Sequence, residues 1–292
     1  MPDQIVVTNV FASQSGNVPV SQLDTDLTAV AKQLNVSSVR NLVGNNTPAT
    51  PNTKFDYSAD AVVLRNTTTF QTAIVTNTGT LTNDTAVAGS AANGRDQAAA
   101  FGASQFIHFY FIWNGSTLST LSSLTAPPTG PALPTGYTHW AYAGAIYYNA
   151  TPLLVKTRMR GAWMDYETAQ SALAIGAATV ETAVSLTTLV PPNALQMRLS
   201  ITFISFRISN NTTGGNNLRP RAVTGAAYVA RHPIVARFPA ATAATQQFPG
   251  GEAILPNIGQ QFFYIQTAAG GSDTPTTTID VTGYSVPNGE GG

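Results

Sequence analysis

The stretch from Phe106 to Trp113 constrains the fold most strongly, because its side chains are bulky on both alternating faces. It reads Phe-Ile-His-Phe-Tyr-Phe-Ile-Trp, and these residue types favour the pleated, half-buried surface of a β-strand. A strand that is apolar on both faces is usually central in its sheet and covered on each side. The sequence therefore predicts a buried central strand, ended by a turn at Asn114 and Gly115, which tolerate positive φ angles.

A second aromatic run, from Leu133 to Asn149, also predicts a strand. The connection between the two runs contains a Ser/Thr segment and the sequence Ala-Pro-Pro-Thr-Gly-Pro at residues 126–131. Prolines cannot continue a sheet ladder, because they lack the backbone N–H donor. We therefore expect two separate strands, with this connection between them outside the sheet ladder.

Length and composition exclude several classes of protein. The chain has 292 residues, enough for a sizeable core in one or two domains, and it has no cysteine for disulfides, zinc or thiol catalysis. Its formal net charge is zero and only 10% of its residues are charged, so it lacks the basic footprint of a general nucleic-acid binder. No apolar run approaches the roughly 20 residues that span a membrane. The N-terminus has no basic segment typical of a signal peptide, so we expect no membrane insertion.

The N-terminal part differs from the rest. Residues 4–11 predict a short strand, and residues 21–34 predict a helix with one apolar stripe. This helix either docks on its own domain or anchors the protein on another chain. Residues 44–54, rich in Gly, Pro, Asn and Thr, predict a linker, so residues 1–50 are expected to form an attachment region. The stripe consists of Leu23, Leu27, Val30 and Leu34.

From Phe55 onward the pattern is of short strands separated by turn residues, at spacings of about ten residues, which is typical of a β-sandwich or barrel. We predict an all-β chain with a jelly-roll-like β-sandwich over residues 51–286 and a flexible tail over residues 287–292. Residues 82–104 are expected to form an exposed loop, and residues 210–217 a turn. The alanine-rich residues 169–190 are ambiguous between helix and strand.

Several segments resemble virion proteins of tailed bacteriophages, especially fibre-like ones. The resemblance includes the aromatic strand and its Asn-Gly turn, and a Leu-Pro-x-Gly-Tyr motif at Leu133, Pro134, Gly136 and Tyr137 that precedes two strands. The opening residues 6–35 are similar to the N-termini of phage tail or fibre proteins. The resemblance implies a structural role in the virion, assembly in the host cytoplasm and, for fibre-like proteins, a homotrimer. It implies no catalytic residues and no cofactor.

Residues that could support catalysis are few. His108 alternates with aromatic residues, which favours a hydrogen-bonded core histidine over a ligand, and no two histidines have metal-ligand spacing. Asp165 and Glu167 share a strand face and could mimic a carboxylate pair, but two solvated acids near Arg158 and Arg160 are the favoured interpretation. We therefore predict no catalytic, cofactor or metal site.

Flat aromatic side chains are candidates for a ligand site or a subunit interface, although the same residue types also fill sandwich cores. Lys156, Arg158 and Arg160 lie on one strand face and could meet an anionic partner, or be solvated. We expect a non-enzymatic component of a phage particle, fibre-like or fibre-attaching, with other virion proteins as partners. The alternatives are a capsid decoration or cement protein and a host-glycan-binding or glycan-cleaving module. The aromatic candidates are Trp140, Tyr142, Tyr147 and Tyr148.

Overall fold

A computed structural model of the chain describes residues 38–66, 68–69, 71–204, 213–219, 234–237, 247–269 and 276–288. Within these ranges the protein consists of β-strands and their connections and contains no helix, which confirms the predicted all-β class. The described part therefore has no helix long and apolar enough to cross a membrane. The predicted strand at residues 4–11 and helix at residues 21–34, with its stripe, lie outside the described residues.

The strands are numbered in chain order. They are β1 (Ser38–Arg40), β2 (Val43–Asn46), β3 (Lys54–Ser58), β4 (Ala61–Arg65), β5 (Thr72–Thr76), β6 (Leu81–Asp84), β7 (Gln105–Trp113), β8 (Leu118–Ser123), β9 (His139–Tyr148), β10 (Thr157–Arg160), β11 (Trp163–Gly176), β12 (Thr182–Ser185), β13 (Gln196–Ile204), β14 (Thr213–Arg219), β15 (Ile234–Arg237), β16 (Gln247–Pro256), β17 (Gln261–Ala269) and β18 (Thr276–Ser285).

These strands form three sheets, and the paired strands in them are antiparallel. A six-stranded sheet has the order β1-β4-β9-β7-β8, with β5 also paired to β4. An eight-stranded sheet has the order β16-β13-β18-β11-β10-β2-β3-β6, and a four-stranded sheet has the order β12-β17-β14-β15. The first two sheets pack face to face, as the predicted β-sandwich requires.

The core between these two sheets is aromatic. On the eight-stranded sheet, Phe55 and Tyr57 of β3 contact Phe109 and Phe111 of β7, with ring centroids 4.9–6.3 Å apart. The Tyr57 hydroxyl also donates to the Tyr110 carbonyl at 2.8 Å, which joins the two layers by a buried hydrogen bond. Such edge and tilted contacts add stabilisation beyond the buried area itself. The predicted central strand is confirmed, because β7 lies between β9 and β8 and is buried along almost its whole length.

The predicted linker at residues 44–54 is wrong. Val43–Asn46 is strand β2, which pairs with β10 on one side and with β3 on the other, and residues 47–53 form only the hairpin turn. Most of the β2 residues are small or polar, yet β3 is in register with all four of them and β10 with Val43, Gly44 and Asn45. The sheets therefore include Ser38–Arg40 and Val43–Asn46, which the predicted division assigns to the attachment region.

Three other predictions need correction. The predicted exposed loop at residues 82–104 includes part of β6 and the buried Asn83 and Arg95, and Arg95 bridges to Ser122 of β8. The predicted turn at residues 210–217 contains the start of β14. The predicted flexible tail at residues 287–292 includes Asn288, which is 2% exposed and donates to the carbonyls of Ala143 and Gly161.

The structure also decides between helix and strand for most of residues 169–190. The first part, to Gly176, continues β11 as a strand, and residues 182–185 form β12. The pairing of β11 with β18 shifts register at three places between Asp165 and Gly176, which marks β-bulges in this long strand. The helical interpretation of these residues is therefore wrong.

Candidate functional site

The aromatic side chains of β9 that were candidates for a ligand site are mostly buried in the chain itself. Trp140, Tyr142 and Tyr148 are at most 7% exposed, and Tyr147 is half-buried with its ring 5.1 Å from that of Phe106. A sugar or a neighbouring subunit cannot reach a side chain that its own chain covers. Trp140, Tyr142 and Tyr148 therefore belong to the buried core of the chain itself, which favours the core interpretation for them.

Trp140 is covered from three sides. Its ring packs edge-on against Tyr110, with centroids 5.4 Å apart, and the Arg65 guanidinium lies 4.8 Å from the ring centroid. The connection before β9 closes the third side at Gly130, where a Cβ atom would come within 2.5 Å of the indole ring. Gly130 has a φ of +77°, so both its conformation and its missing side chain are needed here.

Tyr142 belongs to a buried polar group with His108 and Asn193. The Tyr142 hydroxyl lies 3.0 Å from His108 Nδ1 and accepts a hydrogen bond from Asn193 Nδ2 at 3.0 Å. Burial lowers the pKa of His108 to about 4 and raises the pKa of the Tyr142 hydroxyl, so both groups are neutral at pH 7. The prediction that His108 is a hydrogen-bonded core residue is confirmed.

The Leu-Pro-x-Gly-Tyr motif forms the turn that leads into β9. Gly136 has a φ of +87°, and the Tyr137 N–H donates to the Pro134 carbonyl at 3.0 Å. The Tyr137 hydroxyl lies 2.9 Å from Ser119 Oγ on β8, and the following Thr138 N–H donates to the Trp113 carbonyl at the end of β7. The motif therefore fixes where β9 begins relative to β7 and β8.

The outer face of the eight-stranded sheet contains most of the charged groups that the sequence singled out. Lys156, which precedes β10, and Arg158 and Arg160 of β10 are exposed, and they alternate with the buried Thr157 and Met159, as predicted. Register places Arg158 between Asn45 of β2 and Asp165 of β11. The cations of β10 therefore form one row of a wider polar surface on this face.

The predicted carboxylate pair is engaged by two different arginines. Asp165 Oδ1 accepts from Arg198 Nη1 at 2.8 Å, and Glu167 Oε1 lies 3.4 Å from Arg158 Nε. Arg198, which the sequence interpretation did not single out, also places its guanidinium 4.4 Å from the centroid of the Trp163 ring. This arrangement supports charged surface residues held in ion pairs, rather than a proton donor and a nucleophile aimed at one substrate.

A groove of about 720 Å³ lies over β2, between β10 and β3. Lys156, Arg158 and Arg160 line one side, whereas Asp56, Ser58 and Thr80 line the other. Pro48 and Pro51 of the β2–β3 turn also line it, together with Val43 and Asn45 on its floor. Sequence reasoning found only the β10 side, because β2 was interpreted as a linker.

Within the groove the charges are incompletely paired. Arg158 has Glu167 as a partner, and Asp56 accepts a hydrogen bond from the Thr82 hydroxyl at 2.6 Å. Lys156 and Arg160 have no ion-pair partner among the described residues. The groove therefore presents two free cations beside carboxylate and amide groups.

No group of three or more metal-ligating side chains occurs in the part of the chain that the structure describes. Comparison with known proteins finds no family model that matches the chain and no curated protein that matches it significantly.

Proposed function

We propose that this chain is a non-enzymatic structural component of a bacteriophage particle, a fibre-like or fibre-attaching protein of the tail or head. The observation that carries the proposal is the role of the Leu-Pro-x-Gly-Tyr motif, on which the resemblance to phage virion proteins rests. Pro134, Gly136 and Tyr137 build a turn that aligns strands, as expected of a motif with an architectural role. A motif that served catalysis or ligand binding would instead direct its own side chains into a cavity.

The core supports the same role. Tyr57 and Tyr284 of the eight-stranded sheet donate buried hydrogen bonds to the carbonyls of Tyr110 and Ala145 in the six-stranded sheet. Buried polar groups that are satisfied in this way specify one packing of the two layers. A rigid sandwich of this kind suits a particle component that must hold its shape.

Attachment to the particle is assigned to residues 1–37, the part of the predicted attachment region that precedes β1. The stripe of Leu23, Leu27, Val30 and Leu34 would bury apolar surface worth on the order of 6–10 kcal/mol before entropy costs. Symmetric copies of the same chain are a common way to bury such a surface, and the fibre-like resemblance favours a homotrimer. A capsid decoration protein, which would also be a particle component, is the alternative within this class.

The test uses purified phage particles and the isolated protein. We expect the chain to be found in the particles, and its mass in solution to be that of a trimer. Leu27→Asp should reduce incorporation at least tenfold while the circular dichroism of the β-region is unchanged, because the substitution places a charge in a buried seam. Thr50→Asp, an exposed position in the β2–β3 turn, is the matched control and should incorporate normally. Absence of the chain from the particles would refute the proposal.

A further inference from the structure

The groove over β2 brings exposed cations and hydrogen-bond-accepting carboxylates together in one site. Lys156 and Arg160 are exposed cations without ion-pair partners in the described ranges. Asp56 and Glu167 bring hydrogen-bond acceptors into the same groove. A ligand that fits must therefore carry negative charge for the cations and hydroxyl or amide donors for the carboxylates.

We propose that this groove binds an acidic carbohydrate, a chain of sugar units that carries carboxylate or sulfate groups. Its anionic groups would pair with Lys156 and Arg160, which stand four residues apart on an extended segment, about 13 Å along the chain. Its hydroxyl groups would donate to Asp56 and accept from Asn45. The groove volume of about 720 Å³ lies in the range of roughly 300–1,000 Å³ that small-molecule sites occupy.

The same groups argue against an acidic polypeptide as the occupant. A run of Asp or Glu side chains offers carboxylates but no side-chain donors, whereas sugar hydroxyl groups can donate to Asp56 and Glu167. Sugar rings also present C–H faces, which suit the apolar surfaces of Pro48, Pro51 and Val43. Val43 is 51% exposed on the outer face of β2, so its side chain is accessible to such a ligand.

This binding site goes beyond the proposed structural role and does not depend on it. A particle protein with such a groove would also recognise an anionic polysaccharide, for example on a cell surface. The structural role is tested on particles and the groove on the purified chain, so a negative result in one experiment leaves the other proposal standing.

The experiment measures binding of tetragalacturonate and of a heparin tetrasaccharide to the purified full chain by calorimetry at low salt. We expect at least one of them to bind, more weakly at 0.5 M salt because screening shortens the reach of exposed charges. Neutral maltotetraose should bind at least tenfold more weakly than whichever acidic oligosaccharide binds. Failure of both acidic oligosaccharides to bind would overturn the proposal.

Variants locate the site. Arg160→Gln and Lys156→Gln should each weaken binding at least fivefold, and unchanged circular dichroism verifies that each variant is folded. Arg40→Gln removes the same charge from an exposed position in the six-stranded sheet, outside the groove, and should change binding less than twofold. Equal effects of Arg40→Gln and Arg160→Gln would overturn the assignment to the groove. Hexaglutamate that binds as tightly as the oligosaccharide would overturn the assignment to carbohydrate.

Discussion

Arg198 and Asp165 form an ion pair across a strand that lies between them. Arg198 is on β13 and Asp165 on β11, yet Nη1 and Oδ1 are 2.8 Å apart. Both residues are in register with Gly283 of the intervening β18. A Cβ atom at Gly283 would lie 2.8 Å from Asp165 Oδ1 and 2.7 Å from the Met164 carbonyl oxygen. The pair therefore depends on a strand position that has no side chain.

Gly283→Ala should lower the free energy of unfolding by about 1–3 kcal/mol, because the new methyl group meets backbone that cannot move away cheaply. The matched control is Gly144→Ala, whose methyl group would meet Met159 Cε and Met164 Sδ at 2.9 Å. The flexible ends of methionine side chains can move aside, so this substitution should lower the free energy of unfolding by less than about 1 kcal/mol. Chemical denaturation of both variants measures the difference, and equal costs would contradict the argument.

Tyr284→Phe should destabilise the protein by about 1–2 kcal/mol, because it removes a buried hydrogen bond of 2.7 Å to the Ala145 carbonyl in the opposite sheet. Burial raises the pKa of the Tyr284 hydroxyl well above its usual value, so the group stays a neutral donor over the working pH range. Tyr137→Phe, at a half-buried position that water reaches, should cost less. Thermal unfolding compares the two, and a larger loss for Tyr137→Phe would contradict the interlayer role.

Stability should fall in mild acid through His108. Its pKa is about 4 in the folded protein and 6.5 in the unfolded chain, so the unfolded state binds more protons between these values. The contribution is complete above pH 6.5, and on the order of 3 kcal/mol of it is lost as the pH falls to 4. His108→Gln cannot titrate and should lose less stability over this range. Identical pH slopes for both proteins would exclude His108 as the cause.

Asn288→Ala should cost about 1–3 kcal/mol, because the Asn288 amide donates to Gly161 O at 2.8 Å and Ala143 O at 3.2 Å. These carbonyls lie in the β10–β11 turn and in β9, so one side chain joins both layers. Asn45→Ala is the control, since Asn45 is exposed and its loss should change stability by less than about 0.5 kcal/mol. Urea denaturation measures both, and a neutral Asn288→Ala would show that this contact is dispensable.

Hydrophobic patterning predicted the strands whose own residues are continuously apolar or alternate between apolar and polar. The apolar run of β7 and the alternation of β10 are local properties, and both are confirmed. Strands β2, β8 and β14 were missed, because Val-Gly-Asn-Asn, Leu-Ser-Thr-Leu-Ser-Ser and Thr-Gly-Gly-Asn-Asn-Leu-Arg have little strand propensity. Their neighbours in the sheet supply the hydrogen bonds, which is information that no short window contains.

The sequence predicted only one side of the groove, because only that side comes from a single local segment. The three cations at residues 156–160 follow from alternation along one segment. Their neighbours Val43 and Asn45 come from a strand more than 100 residues earlier in the chain, and the pairing of β2 with β10 has no signal in composition. Aromatic residues such as Trp140 could not be assigned to core or ligand surface, because the same side chains serve both.

The position of β18 has a consequence for how the chain reaches its native state. This strand lies between β11 and β13 and pairs with both, although it is the last strand of the described part. Until residue 285 has been synthesised, β13 and β16 have no connection through the sheet to β11 and its neighbours. The sandwich therefore cannot close progressively during translation, and its long-range pairing makes folding slow. A chain truncated before β18 should expose two additional sheet edges, at β11 and β13, and so become a target for aggregation and proteolysis.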